Sequence, residues 1–179
     1  NGMGSAIGDF NNDGVPDWFV TAIRNYKNTG DFKWGISGNR LYLGDRTAST
    51  GFRDATEGSG VRDGAWGWGA CAADFNNDGW LDLFHENGFG AMPDYARSHI
   101  PDYMMAFLPA NYADFHTDHP RLFINKGINK GTNTGANSGD VRFEDESAVW
   151  GLDMQTNGRG VVCVDYDRDG DIDVVLTEN

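Results

Sequence analysis

Cysteine is nearly absent from this 179-residue chain, positive charge is scarce, and no apolar run approaches the length of a membrane span. Each shortage excludes something. Two cysteines, Cys71 and Cys163, cannot build a disulfide framework, and they are expected as two free, buried thiols. Measured from the acidic motif that follows each, they lie three and two residues upstream, on opposite faces of equivalent strands. With 14 Lys and Arg against 27 Asp and Glu, the net charge of −13 argues against nucleic acid or anionic lipid as partner, since both repel an acidic surface. No stretch has the composition of a membrane-inserting helix. There is no Asn-x-Ser/Thr sequon, so N-glycosylation is not expected. Neither a signal peptide nor an initiator Met precedes Asn1, which suggests a mature or excised piece.

Glycine (25 residues) and aromatic residues (13%) are plentiful, and that mix suits short strands joined by tight turns better than a helical bundle. One motif dominates: DFNNDGVPDWF from Asp9, DFNNDGWLDLF from Asp74 and DYDRDGDIDVV from Asp165. A shift of 65 carries Asp9, Gly2 and Gly4 onto Asp74, Gly67 and Gly69. A shift of 91 carries Asp74, Gly67 and Gly69 onto Asp165, Gly158 and Gly160, and Phe52, Asp54, Gly60 and Val61 onto Phe143, Asp145, Gly151 and Leu152. Several features moving under one offset define a repeat.

Each unit reads as four strands. A small-residue strand (GWGACAAD) leads into the acidic loop, and a second strand (WLDLFHEN, DIDVVLTEN) leaves it. NRLYLG or PRLFIN forms the third strand, and GFRDAT or VRFEDES lies in the fourth. Tandem four-stranded units make an all-β fold of β-propeller-type blades, with Gly and Ala of the first strand suited to the crowded position near the axis. The boundaries are 1–61 for the first blade, 62–152 for the second and 153–179 for the first half of a third. The expected architecture is thus an incomplete propeller of about two and a half blades. Such a piece has open sheet edges, to be covered by the rest of a longer chain or by neighbouring copies. The second unit carries two inserts, near 89–119 and 127–140; the first is rich in aromatics and Met and is expected to be partly helical and packed.

Counting from the first Asp of each motif, side-chain oxygens fall at positions 1, 3, 5 and 9, a Gly at position 6, and a carbonyl is available at position 7. The three sets are Asp9, Asn11, Asp13, Val15 and Asp17; Asp74, Asn76, Asp78, Trp80 and Asp82; and Asp165, Asp167, Asp169, Asp171 and Asp173. Hard oxygen donors on a tightly turned loop, without His or Cys, select Ca²⁺. An Asx-rich turn without metal is the plain alternative. Converging carboxylates repel unless a cation is present, and three Ca²⁺ ions would bring −13 to −7. An EF-hand needs Glu at position 12 and flanking helices; position 12 here is Val20, His85 and Leu176, and the flanks read as strands. A dockerin-like reading fails for want of the same helices.

These loops resemble the FG-GAP (VCBS-type) repeat of integrin-α-like β-propellers, D-x-[ND]-x-D-G-x-x-D. The wider pattern NRLYLG…GFRDATEGSGV…GWGACAADFNNDGWLDLF is similar to the ASPIC/UnbV and cartilage-acidic-protein-type group. The resemblance implies Ca²⁺ stiffening of the hairpin between the first two strands at the three sets above, and ligand contact through loops or blade faces.

The expectation is therefore a calcium-stabilised extracellular scaffold, without enzymatic activity, that binds protein or glycan. Self-association into a homo-oligomer or filament through open blade edges is included. One alternative is part of a secreted calcium-dependent polysaccharide-acting enzyme, using His85, His99, Asp114, His116, Asp118 or His119; no G-x-S-x-G or H-E-x-x-H motif supports it. The other is a carbohydrate-binding module presenting Trp66, Trp68, Tyr95, Tyr103 or Tyr112, residues that a propeller core also consumes.

Overall fold

The computed structural model describes residues 2–24, 36–88, 118–128 and 140–178. Ten strands and one helical turn follow in chain order: β1 (Ser5–Gly8), β2 (Asp17–Val20), β3 (Arg40–Gly44), β4 (Phe52–Asp54), α1 (Thr56–Ser59), β5 (Gly67–Ala73), β6 (Asp82–Asn87), β7 (Arg121–Ile128), β8 (Val141–Asp145), β9 (Gly158–Val164) and β10 (Asp173–Glu178). They form two antiparallel four-stranded sheets, β1-β2-β3-β4 and β5-β6-β7-β8, and a two-stranded sheet of β9 and β10. The all-β expectation and the strand order of each unit are borne out. The partly helical insert and most of the 127–140 loop lie outside the described residues. One difference is α1, which interrupts the stretch after β4 and ends at Gly60 with φ 84°; a left-handed glycine closes a helical turn at little cost.

The units repeat in side-chain detail. The β3 N–H of Leu41 donates to Thr56 Oγ1, and the β7 N–H of Leu122 to Ser147 Oγ, both at 2.9–3.0 Å. Asp54 and Asp145 accept the N–H of Thr56 and Ser147 in turn. Arg40 pairs with Asp54 at 3.6 Å and Arg121 with Asp145 at 3.7 Å.

The core lies between sheets. Ala6, Phe19, Leu41 and Leu43 of the first sheet meet Leu83, Phe123, Val141 and Phe143 of the second. On the far side of the second sheet Phe84, Leu122 and Ile124 meet Val161, Val174 and Leu176 of the third hairpin. Strand alternation explains the division: within β6, Leu83 and His85 face the first sheet and Phe84 faces the third hairpin. Because both faces are covered, all six β6 residues are buried. Emptying one of these sites, as in Phe84→Ala, would cost about 3–5 kcal/mol.

First strands of successive units come close, as their small residues suggest. A Cβ on Gly4 would lie 2.1 Å from the Trp68 carbonyl oxygen, and one on Gly69 2.7 Å from that of Arg159. Polar side chains tie the same seam. Thr21 Oγ1 donates to the Trp68 carbonyl at 2.6 Å, and at the equivalent place Glu86 accepts the Gly158 N–H at 3.3 Å.

The cysteine expectation is overturned: Cys71 and Cys163 form a disulfide, with Cα atoms 6.1 Å apart. The offset that seemed to separate them is what joins them. Cys71 is on the β5 face turned toward the third hairpin, and Cys163 on the β9 face turned back toward the second sheet. When sheets stack, opposite faces of successive units meet.

Candidate functional site

The three acidic loops are the turns β1–β2, β5–β6 and β9–β10, and they share one backbone. Position 4 is left-handed in each (Asn12 φ 55°, Asn77 φ 56°, Arg168 φ 66°), and so is Gly at position 6 (Gly14 81°, Gly79 87°, Gly170 101°). Glycine is required at position 6 for that turn, and at Gly79 a Cβ would meet no atom, so conformation and not space decides.

Within each loop the side chains at positions 1, 3, 5 and 9 fold onto the loop's own backbone N–H groups, but among the described residues carboxylates converge as a group of three only in the third loop, at Asp165, Asp167 and Asp173. The position-1 carboxylate accepts the position-6 N–H: Asp9 from Gly14 and Asp74 from Gly79 at 2.8 Å, Asp165 from Gly170 at 3.2 Å. Oxygens of Asn11, Asn76 and Asp167 accept the position-5 N–H of Asp13, Asp78 and Asp169. Asp13, Asp78 and Asp169 accept the position-7 N–H of Val15, Trp80 and Asp171. At position 9, Asp17, Asp82 and Asp173 accept the N–H of Phe10, Phe75 and Tyr166 across the turn. Asp17 and Asp82 also accept the N–H of Gly44 and Asn125 in the third strand, at 2.8 Å each. Position 9 therefore locks three strands together.

Electrostatics set position 9 apart. Asp17 and Asp82 are fully buried. Burial pushes the Asp82 carboxyl up to about 6; its two N–H donors pull it down, and Asp78 and Asp74 push it further up. Asp17 is raised for the same reasons, burial first. A cation among such groups reverses the balance and favours their ionised forms.

The residues fit a hard cation. The donors are carboxylate and amide oxygens, without sulfur or imidazole. In the third loop, carboxylate oxygens of Asp165, Asp167 and Asp173 lie within 4.8 Å of one another. Asp165 Oδ1 is buried there without a hydrogen-bond partner, an expense that a bound ion removes. Asp167 stands where the other loops have Asn, so this loop concentrates the most negative charge.

Position 4 was not anticipated. Asn12 Nδ2 donates to the Gly79 carbonyl at 3.2 Å, and Asn77 Nδ2 to Asp171 at 2.8 Å, linking each loop to the next along one edge of the stack. The repeated Asn-Asn pair was the available signal, but only the neighbouring loop reveals its use.

Among residues considered for catalysis or sugar contact, His99, Asp114, His116, Tyr95, Tyr103 and Tyr112 lie outside the described residues. His85 is fully buried, with ring centroids 6.2 Å from Phe19 and 5.6 Å from Phe123. The Ala22 N–H fixes Asn39 Oδ1, which turns Asn39 Nδ2 toward His85 Nε2 at 3.2 Å. Nε2 is therefore the acceptor and Nδ1 carries the proton, aimed at the Glu86 carbonyl. Burial pushes the His85 imidazolium down to about 4. Asp118 accepts the Trp66 N–H at 3.4 Å and pairs with Arg121 at 3.3 Å, and His119 contacts Arg121. Trp66 is buried and stacks on Trp68, whose Nε1 donates to the Gly88 carbonyl and whose ring lies under Arg159 at 4.1 Å. Packing consumes both tryptophans.

Fold and loops define a class: tandem antiparallel β units, each with an Asp-rich turn between its first two strands. Comparison with known families gives that class a name. Residues 9–85 match the family described as FG-GAP-like repeat, and this segment is similar to that repeat. No curated protein matches the chain. Among the described residues, no helix is long and apolar enough to cross a membrane.

Proposed function

We propose that the three loops are Ca²⁺ sites that stiffen the blades of a β-propeller-type domain, and that the domain is an extracellular, non-enzymatic scaffold binding protein or glycan. The blades run over 1–61, 62–152 and 153–179. The reading is carried by the convergence of Asp165, Asp167 and Asp173 around an Asp165 oxygen that has no partner, on a backbone shared by all three loops.

Ca²⁺ would be held by the side chains at positions 1, 3, 5 and 9 with the carbonyls of Val15, Trp80 and Asp171, and would supply the positive charge that lets these groups stay ionised together. The protein's own part is to fix the turn: left-handed residues at positions 4 and 6, and position 9 bonded to the third strand. The disulfide supports an oxidising compartment, where calcium is abundant enough to keep such sites filled.

The test is thermal melting in calcium and in EGTA, since a ligand bound only by the folded state raises Tm. Terbium emission sensitised by Trp80, a residue inside the second loop, gives a second readout and should fall with Asp74→Asn. An unchanged Tm together with no terbium signal refutes the calcium reading.

A further inference from the structure

One buried carboxylate departs from the repeat, and the groups around it depart with it. The offsets that carry Thr21 to Glu86 and on to Thr177 put a hydroxyl at this place in the first and third units and a carboxyl in the second. Thr21 and Thr177 each accept an N–H from the first strand of their own unit, that of Gly4 at 2.7 Å and that of Gly160 at 2.9 Å. Glu86 reaches instead into the next unit, where its Oε1 accepts the Gly158 N–H at 3.3 Å. The side chain is fully buried, and its Oε2 has no hydrogen-bond partner among the described residues. Burial raises the carboxyl above its ordinary value, and Glu178 adds to the effect. It is therefore a stronger proton acceptor than a surface carboxylate.

Gly158 follows Asn157. In an Asn–Gly pair the backbone nitrogen can approach the preceding side-chain amide closely, because glycine has no side chain to hinder it. Two such pairs lie among the described residues, Asn87–Gly88 and Asn157–Gly158. Their surroundings differ. Arg159 Nη1 donates to Asn157 Oδ1 at 3.1 Å. A guanidinium only donates, so the amide oxygen faces it and Nδ2 faces away. Negative charge building on Oδ1 during attack at Cγ is thereby met by a cation, and the proton of the attacking nitrogen is already held by Glu86. The Trp68 ring at 4.1 Å and the carbonyls of Gly88 and Gly158 fix Arg159 in place. In the other pair, Asn87 Oδ1 is buried without a partner and Nδ2 is tied to the His119 carbonyl at 2.9 Å. At the seam between the first two units, Trp66, Gly67 and Trp68 stand for Asn157, Gly158 and Arg159, and Thr21 for Glu86. Base, amide and cation thus coincide at one seam and not at its equivalent.

We propose that Asn157 is a self-modifying site, converted through a cyclic imide with Gly158, Glu86 acting as general base and Arg159 as oxyanion partner. The Gly158 nitrogen bonds to Asn157 Cγ, the Cγ–Nδ2 bond breaks, and ammonia leaves with the proton that Glu86 took from Gly158. Water then opens the imide at either carbonyl, giving aspartate or isoaspartate; Asn157 is only half-buried, within its reach. Isoaspartate lengthens the backbone by a methylene where β9 begins. A Cβ on Gly158 would already lie 2.6 Å from the Thr177 carbonyl oxygen and 2.7 Å from Glu86 Cγ, so the product does not fit the seam in which it forms. The inference is independent of the calcium assignment.

The experiment is incubation of the full chain near neutral pH, folded and in urea, followed by peptide mass spectrometry for ammonia loss and amide-to-acid conversion. In the folded protein Asn157 should convert at least about tenfold faster than Asn87, and in urea the two should convert alike. Glu86→Gln keeps an acceptor for the Gly158 N–H but not the base, and should slow Asn157 at least about tenfold, since a positioned base contributes roughly 10²–10⁴-fold. Arg159→Met keeps bulk over Trp68 without the charge and should slow Asn157 as well. Neither variant should alter conversion at Asn87, and thermal melts report whether each is folded. Equal rates at Asn157 and Asn87 in the folded wild type overturn the proposal without recourse to any variant. So does a lead of Asn157 that persists in urea, which would belong to the local sequence, or a folded variant that converts Asn157 as fast as wild type.

Discussion

Reducing the Cys71–Cys163 bond should weaken the molecule unequally along its length. The bridge closes a loop spanning 92 residues of sequence. Chain entropy for a loop of that size corresponds to about 4–5 kcal/mol of constraint on the unfolded state, as an upper figure. For a chain of this length that is a fall in Tm on the order of 10–15 °C. The locus is set by packing. β9 and β10 form a two-stranded sheet held by one apolar cluster, and in β10 only Val174 and Leu176 are partly buried while the other four residues are exposed. A lone hairpin is marginal in water, so without the bridge it should undock before the two four-stranded sheets open. The assay is thermal melting of the protein and of the double variant Cys71→Ala, Cys163→Ala, with and without reductant, followed by amide exchange. Exchange in β9–β10 should accelerate most, and that in β6 and β7 least. Two titratable thiols in the unreduced, denatured protein would refute the bridge. Equal exchange in β9–β10 before and after reduction would refute the reasoning about where it acts.

Other consequences follow from named contacts. Gly4→Ala should destabilise by a few kcal/mol, because its methyl would meet the Trp68 carbonyl at 2.1 Å; Gly79→Ala, strained in backbone but unobstructed, should cost about 1 kcal/mol, and equal losses in denaturant melts would contradict the close approach of first strands. His85 stays neutral in the fold and its imidazolium is pushed down to about 4 by burial, with Arg121 adding to the effect and Asp145 opposing it. The unfolded chain takes up the proton first as pH drops below about 6.5, so stability should decline from there to about pH 4 by roughly 3 kcal/mol and then level. His85→Gln should flatten that part of the profile relative to wild type. Asp165→Asn with Asp167→Asn should remove calcium stabilisation of the third hairpin while the first two loops still raise Tm; at a calcium concentration 100 times Kd, each intact site is worth about 2.7 kcal/mol.

Much of the molecule is local and so legible from its residues. Strands follow from period-two alternation, as at Leu41 and Leu43 in β3, and turns from Asn, Asp and Gly at fixed offsets. The ligand sets fall within nine consecutive positions, so that one loop conformation recurs in all three. Small residues in the first strand announced a close neighbour, and a Cβ at Gly4 or Gly69 has no room. None of these features needs a distant residue to be recognised.

What remained hidden depends on which surfaces meet. The cysteine offsets imply opposite strand faces and free thiols; stacking turns those faces toward one another and joins Cys71 to Cys163. His85 looked available for chemistry because it follows an acidic loop, yet strand parity buries it between Phe19 and Phe123. Asn12 and Asn77 looked like turn residues and prove to reach the next loop. The repeat in the amino-acid sequence determined the units, their turns and the oxygen donors of each loop, because these are short-range properties of the chain. Tertiary structure alone decided the disulfide and the buried histidine, because a residue's partner across an interface is set by how whole sheets pack and not by its neighbours in sequence.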